Sequence, residues 1–218
     1  MKRVLVLVEG FTEERFVKDV LAPHLESREI FATPKIVTTK RTKQGPDFKG
    51  GITDYQKLEN DLLRLLGDTG AAFVTTFIDY YGLPNEFPGV TSRPMGSPYE
   101  RAIYVETEWK HQINHPRFHP YLMIHEFEAL LFAKPEELSR ALYQSSLLPQ
   151  LKAVRDAFPS PEDINDDPQT APSKRILQIV PSYQKALHGP LVSRRIGLEN
   201  LRHECRHLND WLTWLEGI

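Results

Sequence analysis

The run Val4-Leu5-Val6-Leu7-Val8 is the feature that most restricts this chain. It is apolar and rich in branched residues, with no polar alternation. That pattern predicts a strand over residues 3–8 buried on both faces, which requires a parallel sheet covered by helices. The run breaks at Glu9 and no small-residue cleavage site follows, so it reads as a strand and not as a secretory leader. After Glu9-Gly10, Thr12 is placed to cap a helix, with Glu13 and Glu14 in its first turn. Phe16, Val17, Val20 and Leu21 supply the apolar stripe, and Pro23 should kink or end it. Residues 30–38 read as a second strand, assigned to an edge because of Pro34. Tyr55, Leu58, Leu62, Leu65 and Leu66 mark the next helix. A third strand, from Ala72 to Ile78, ends on Asp79, and a Pro- and Gly-rich loop runs from Tyr80 to Gly96. Ser97-Pro98-Tyr99-Glu100 is a capping box that starts another helix. A fourth strand, Phe118 to Ile124, leads to His125-Glu126-Phe127-Glu128 and a short apolar helix.

Strand and helix thus alternate four times over residues 1–132. The expected fold class is α/β, a mostly parallel sheet flanked by helices. After residue 133 the pattern is helical, with helices expected near 135–142, 147–157, 173–186 and 196–215. The division is therefore 1–132 for the α/β domain and 133–218 for a helical C-terminal portion, either separate or packed on the sheet as part of one domain.

The 218 residues are 40% hydrophobic and 26% charged, enough for an ordinary globular core. A net charge of −2 gives no whole-chain argument for nucleic-acid binding, so such a surface must be a local patch. The single cysteine, Cys205, excludes an internal disulfide and a cysteine-rich zinc site. No apolar run approaches bilayer length. The expectation is a cytoplasmic protein that does not engage a membrane.

In parallel sheets, ligands sit beyond the carboxyl ends of the strands. Glu9, Asp79 and Glu126 all fall there. Carboxylates from separate strands can converge on a hard cation such as Mg²⁺, which takes oxygen ligands. Glu13, one turn into the first helix, is placed to reach back, and Glu128 follows Glu126 at i, i+2. Acidic residues are also common at strand ends and in first helical turns, and spacing alone leaves the two readings even. His111 and His115, like His203 and His207, have i, i+4 spacing without an evident third ligand and read as structural. No dinucleotide fingerprint, Walker loop, nucleophile elbow or zinc-protease motif occurs.

Val8-Glu9-Gly10-Phe11-Thr12-Glu13, after its apolar strand, resembles the opening motif of Toprim domains in the overcoming-lysogenization-defect (OLD) nucleases. Phe77-Ile78-Asp79-Tyr80-Tyr81 sits where those domains carry Asp-x-Asp. The whole chain looks similar to a prokaryotic Toprim-like family of unassigned function, through Asp79-Tyr80-Tyr81-Gly82-Leu83-Pro84, His125 to Phe132, and Ala171-Pro172-Ser173-Lys174-Arg175-Ile176. The resemblance implies Mg²⁺- or Mn²⁺-dependent phosphodiester hydrolysis on DNA or RNA. It further implies a role in bacterial defence or DNA repair beside a separately encoded ATPase.

In that picture Glu9 is a metal ligand or general acid/base, Asp79 a metal ligand, and Glu13 the second acid of the opening motif. Tyr81 departs from the pattern, because a phenol is a poor Mg²⁺ ligand at neutral pH. Glu126 or Glu128 would then supply the missing charge. Lys174 joins Glu9 and Asp79 in the expected catalytic set. With Arg175 it opens a predicted helix and is a candidate phosphate contact. Lys40, Arg41, Lys43 and Lys49 lie on a basic loop that is either a nucleic-acid contact or plain surface. Tyr80 and Tyr81 either stack on a base or pack under their loop. Two alternatives stand beside the nuclease: a regulatory or interaction module of an ATPase complex, and a small-nucleotide phosphotransfer enzyme.

Overall fold

A computed structural model describes residues 1–38, 52, 54–164, 167 and 169–218. The basic stretch with Lys40, Arg41, Lys43 and Lys49 lies outside them. The strands are β1 (Lys2–Val8), β2 (Ile30–Ile36), β3 (Phe73–Asp79), β4 (Phe118–His119) and β5 (Leu122–Met123). Their order is β2-β1-β3-β4, with β5 also on β3, and every pairing is parallel. In register, Val8 lies beside Ile36 on one side and Phe77 on the other.

The first strand behaves as its composition requires. Val4, Val6 and Val8 pack on one face with Phe16, Phe77 and the C-terminal helices. Leu5 and Leu7 pack on the other with Leu58, Leu62 and Trp109. That second face is covered by the helices Tyr55–Leu66 and Pro98–Ile113. The capping box of the latter is formed by Ser97 and Glu100. β2 is an edge strand carrying Pro34, as expected.

The first helix differs from expectation in two ways. Its N-cap is Gly10, and Thr12 is buried inside the first turn without capping. Nor does Pro23 end it: α1 (Phe11–Phe16) runs through a π-helical segment, Val17–Leu21, into α2 (Ala22–Glu26). The Ala22 amide reaches back five residues to the Val17 carbonyl. This wider turn shifts the hydrogen-bond ladder just where proline lacks a donor. Tyr55–Leu66 and Pro98–Ile113 follow as α3 and α4. The expected strand from Phe118 to Ile124 is split into β4 and β5. Pro120 breaks the ladder, and Thr76 Oγ1 substitutes for it, donating to the Tyr121 carbonyl at 2.8 Å and accepting from the Tyr121 amide at 2.9 Å.

The short helix α5 (Phe127–Leu131) follows β5, and the C-terminal portion contains α6 (Pro135–Ala141), α7 (Leu148–Asp156), α8 (Pro172–Ile179), α9 (Lys185–Ile196), α10 (Leu198–Glu204) and α11 (Arg206–Glu216). The helix expected over 173–186 stops at Ile179, and α9 occupies a stretch holding Gly189-Pro190. Gly189 explains its close fit. A Cβ there would come within 2.9 Å of Thr12 Cγ2 and 3.3 Å of Phe127 Cε1. The missing side chain lets α9 pack closely against α1 and α5, with its first residue one turn away at the sheet's carboxyl edge. The portion joins the sheet through stacked rings: Trp211 lies 5.4 Å from Phe77, which lies 4.9 Å from Phe16.

Candidate functional site

The acids at the sheet's carboxyl edge arrive from several elements. Glu9 directly follows β1, Asp79 is the last residue of β3, and Glu13 lies in the first turn of α1. Glu126 is the N-cap of α5, and Glu128 stands in its first turn. Asp79 Oδ1 accepts from the Phe127 amide at 2.9 Å, which locks the end of β3 to the start of α5. Glu128 is 0% exposed and accepts from the Tyr183 hydroxyl at 3.3 Å.

The positive partner is Lys185, the first residue of α9. Its Nζ donates to Asp79 Oδ2 at 3.3 Å and pairs with Glu128 Oε2 at 3.2 Å and Glu13 Oε1 at 3.7 Å. Glu13 Oε1 and Glu128 Oε2 are buried without a hydrogen bond of good geometry, so their contact with the ammonium is ionic. An ammonium at a helix N-terminus opposes the helix dipole, and these carboxylates are what hold it there.

Among the described residues one ammonium faces these several carboxylates, and their protonation equilibria respond to it. Burial first, then the charges of Asp79 and Glu13, push the Glu9 carboxyl up to about 8. Burial likewise pushes Glu128 up to about 7, against the pull of Lys185. Glu13 and Glu126 are raised as well, burial again being the first cause. Burial pulls the Lys185 ammonium down, but Asp79, Glu128, Glu13 and Glu9 outweigh it and hold the ammonium well above its ordinary range. The Lys185 side chain is 40% exposed, so water tempers each attraction.

The oxygen donors suit a hard cation such as Mg²⁺ or Mn²⁺. Glu13 and Glu128 each offer an oxygen free of hydrogen bonds. Yet among the described residues no three of His, Cys, Asp and Glu stand as a ready metal-binding group. The point between Asp79, Glu13 and Glu128 is taken by Lys185 Nζ. The donor set therefore fits the ion chemically, and a bound ion would share or replace the place of the ammonium.

The structure gathers Glu9, Glu13, Asp79 and Glu128 around Lys185, with Glu126 at the margin. Glu126 accepts from the Ser173 amide at 2.6 Å and the Ser173 hydroxyl at 3.1 Å, so it is the anion seated at the α8 N-terminus. The expected phosphate seat at that helix end is thus filled by the protein's own carboxylate. Lys174 is exposed beside it. Arg175 donates to the Thr170 carbonyl at 2.7 Å and lies over the Phe158 ring at 5.1 Å. The two tyrosines part company: Tyr80 is buried and accepts from Arg93 at 3.0 Å, while Tyr81 is 37% exposed. His207 is buried against Glu106 at 2.8 Å, and His203 faces Glu204 at 3.0 Å, so the pair shares no site. Lys185 was missed in the sequence because a single lysine far along the chain carries no periodic or motif signal.

The sequence matches the family described as "Domain of unknown function (DUF4276)" over residues 8–216. No curated protein is similar at a significant level. Solved structures are similar at low identity, among them two from OLD proteins. One is the C-terminal region of the Burkholderia pseudomallei OLD protein, 14% identical, with 99% of each chain covered and a TM-score of 0.45. The other is the C-terminal region of the Xanthomonas campestris pv. campestris OLD protein, 16% identical, covering 100% of this chain and 99% of that one, with a TM-score of 0.38.

Proposed function

We propose that this chain, which belongs to the DUF4276 family, is a Toprim-type, divalent-metal-dependent phosphodiesterase acting on nucleic acid in the cytoplasm. The observation that carries this reading is that, among the described residues, several carboxylates gather around the ammonium of Lys185 at the carboxyl edge of a parallel sheet. Glu13, Asp79 and Glu128 are buried there and Glu9 is half-buried. Without a bound cation such a cluster holds protons that exposed carboxylates would have given up, and that is a cost to stability above the ordinary carboxyl range.

Glu9, Asp79 and Glu13 would hold the ion, with Glu128 as a further donor. When bound, Mg²⁺ or Mn²⁺ would activate water and stabilise charge on the attacking and leaving oxygens. The chain's own groups have separate tasks. Lys185, part-exposed and already aimed at the cluster, would hold a non-bridging phosphate oxygen, the place assigned in sequence to Lys174. Lys174 would stand outside as a second phosphate contact. Glu9 keeps its proton up to about 8 in the metal-free protein, and taking up the ion would release it. Asp79 is kept in place by the Phe127 amide, so it needs no reorganisation to act.

A second reading is a module without turnover, working within an ATPase complex. It is favoured by Tyr81 at the second acidic position and by the ammonium already neutralising part of the cluster. Calorimetry with Mn²⁺ and Mg²⁺ separates the two, on the native chain and on E9Q/D79N, with DNA and RNA cleavage followed on the same samples. Metal binding and cleavage that both disappear in the variant support the enzyme. Metal binding without cleavage supports the module, and no metal binding by the native chain defeats the metal-dependent reading.

A further inference from the structure

The ammonium of Lys185 fits its seat loosely. Its Nζ lies 3.3 Å from Asp79 Oδ2, 3.2 Å from Glu128 Oε2 and 3.7 Å from Glu13 Oε1. A charge-assisted N–H···O bond closes to about 2.7–2.9 Å, so all three contacts are long. Glu13 Oε1 and Glu128 Oε2 stay buried without a hydrogen bond. Two of these acids are held by other groups and are not free to close on the lysine: Asp79 Oδ1 accepts from the Phe127 amide at 2.9 Å, and Glu128 Oε1 from the Tyr183 hydroxyl at 3.3 Å. Nor has α9 room to carry Lys185 inward, since a Cβ on Gly189 would already meet Thr12 Cγ2 at 2.9 Å. The part with room to move is the Lys185 side chain. It is 40% exposed, against 4% for Glu13, 10% for Asp79 and 0% for Glu128.

An ammonium has a single charge and three directed protons to share, whereas a divalent ion draws carboxylate oxygens in to about 2.0–2.1 Å. Two cations at contact distance from the same oxygens repel each other strongly in a buried site. We propose that Lys185 is a placeholder: its ammonium holds the acids in the metal-free protein and swings out to solvent as a divalent ion takes its place. The released Nζ is then free for a phosphate oxygen, so the ion binds first and phosphate second. This deepens the metal-dependent reading and rests on it, and it makes Lys185 the ion's competitor as well as the phosphate's partner.

The test labels the amines of the native chain with a trace of acetic anhydride and reads each lysine by mass spectrometry. It is run at about pH 8.5, where protons compete less for the carboxylates. With Mg²⁺, labelling of Lys185 should rise roughly tenfold or more over that in chelator, because the ammonium has left its acids. Exposed Lys110 should stay constant as the reference. Inorganic phosphate should slow the labelling of Lys185 again, and only with Mg²⁺ present. In calorimetry with Mg²⁺, K185M should bind the ion roughly tenfold or more tightly than the native chain, since the opposing charge is gone. K185M binding no tighter than native overturns the proposal. Should K185M fail to fold, the labelling of the native chain decides. Phosphate protection that does not need Mg²⁺, or none with it, overturns the order of binding. If neither protein binds Mg²⁺, the metal-dependent reading falls with this one. A native chain that binds Mg²⁺ while Lys185 stays protected removes this inference alone.

Discussion

Glu9→Gln should stabilise the protein when divalent metal is removed, increasingly as the pH rises from 4.5 to about 8. The ordinary carboxyl value is 4.5, and the cluster raises Glu9 to about 8. A raised carboxyl binds its proton more tightly in the folded state than in the unfolded one. Its contribution is therefore fully present below 4.5 and is lost as the pH rises through 8. Each unit is worth about 1.4 kcal/mol, so the full interval caps the loss at about 5 kcal/mol. The amide side chain of E9Q would carry no charge to bury, but it would give up its share of the Lys185 attraction, so a net gain of about 2–4 kcal/mol is expected at about pH 8.5. For a chain of this size that is a rise in Tm of roughly 5–15 °C. At about pH 4 the native carboxyl is protonated when folded, and the two proteins should melt together. The assay is thermal and urea unfolding in chelator from about pH 4 to about pH 8.5. Curves for E9Q and the native chain that stay parallel over the whole range would refute the reasoning, because Glu9 would then be solvated. Adding Mn²⁺ at the alkaline end should stabilise the native chain more than E9Q.

The remaining predictions concern the frame around the site. G189A forces a methyl group against Thr12 and Phe127 and should cost about 1–3 kcal/mol in urea unfolding. T76V removes both hydrogen bonds that hold Tyr121 between β4 and β5, and should cost about 1–3 kcal/mol by the same measurement. E106L leaves buried His207 without its carboxylate and the Leu122 amide without its acceptor, and should cost about 3–5 kcal/mol. Burial opposes the His207 charge, but Glu106 outweighs it and raises His207 above its ordinary 6.5. The pair's contribution is thus present below that value and fades as the pH rises through the raised one. The cost of E106L should accordingly be larger at about pH 6 than at about pH 9.

The sheet and the placement of its acids follow from local patterns in the sequence. Val4 to Val8 can bury both faces of a strand only inside a covered parallel sheet, and Glu9 and Asp79 end strands because charge cannot continue into that core. Those signals are local, so period and punctuation were enough to read them. The capping box at Ser97 and the edge position of Pro34 belong to the same class. Local rules were overridden where neighbours supplied an alternative hydrogen bond. The π turn carries the first helix past Pro23, and Thr76 stands in for the ladder that Pro120 interrupts.

The charge balance of the site comes from contacts between distant segments. Lys185 lies more than a hundred residues beyond Asp79, and nothing in its own surroundings marks it. It meets Asp79, Glu13 and Glu128 because Gly189 lets α9 pack against Thr12 and Phe127. In the same way Glu126, which the sequence groups with the other acids, is drawn aside to the amide and hydroxyl of Ser173. A strand end fixes where a carboxylate sits along its own segment. Which cation or amide it faces is set by helices packed from elsewhere in the chain, and that depends on side-chain fit over long sequence separations.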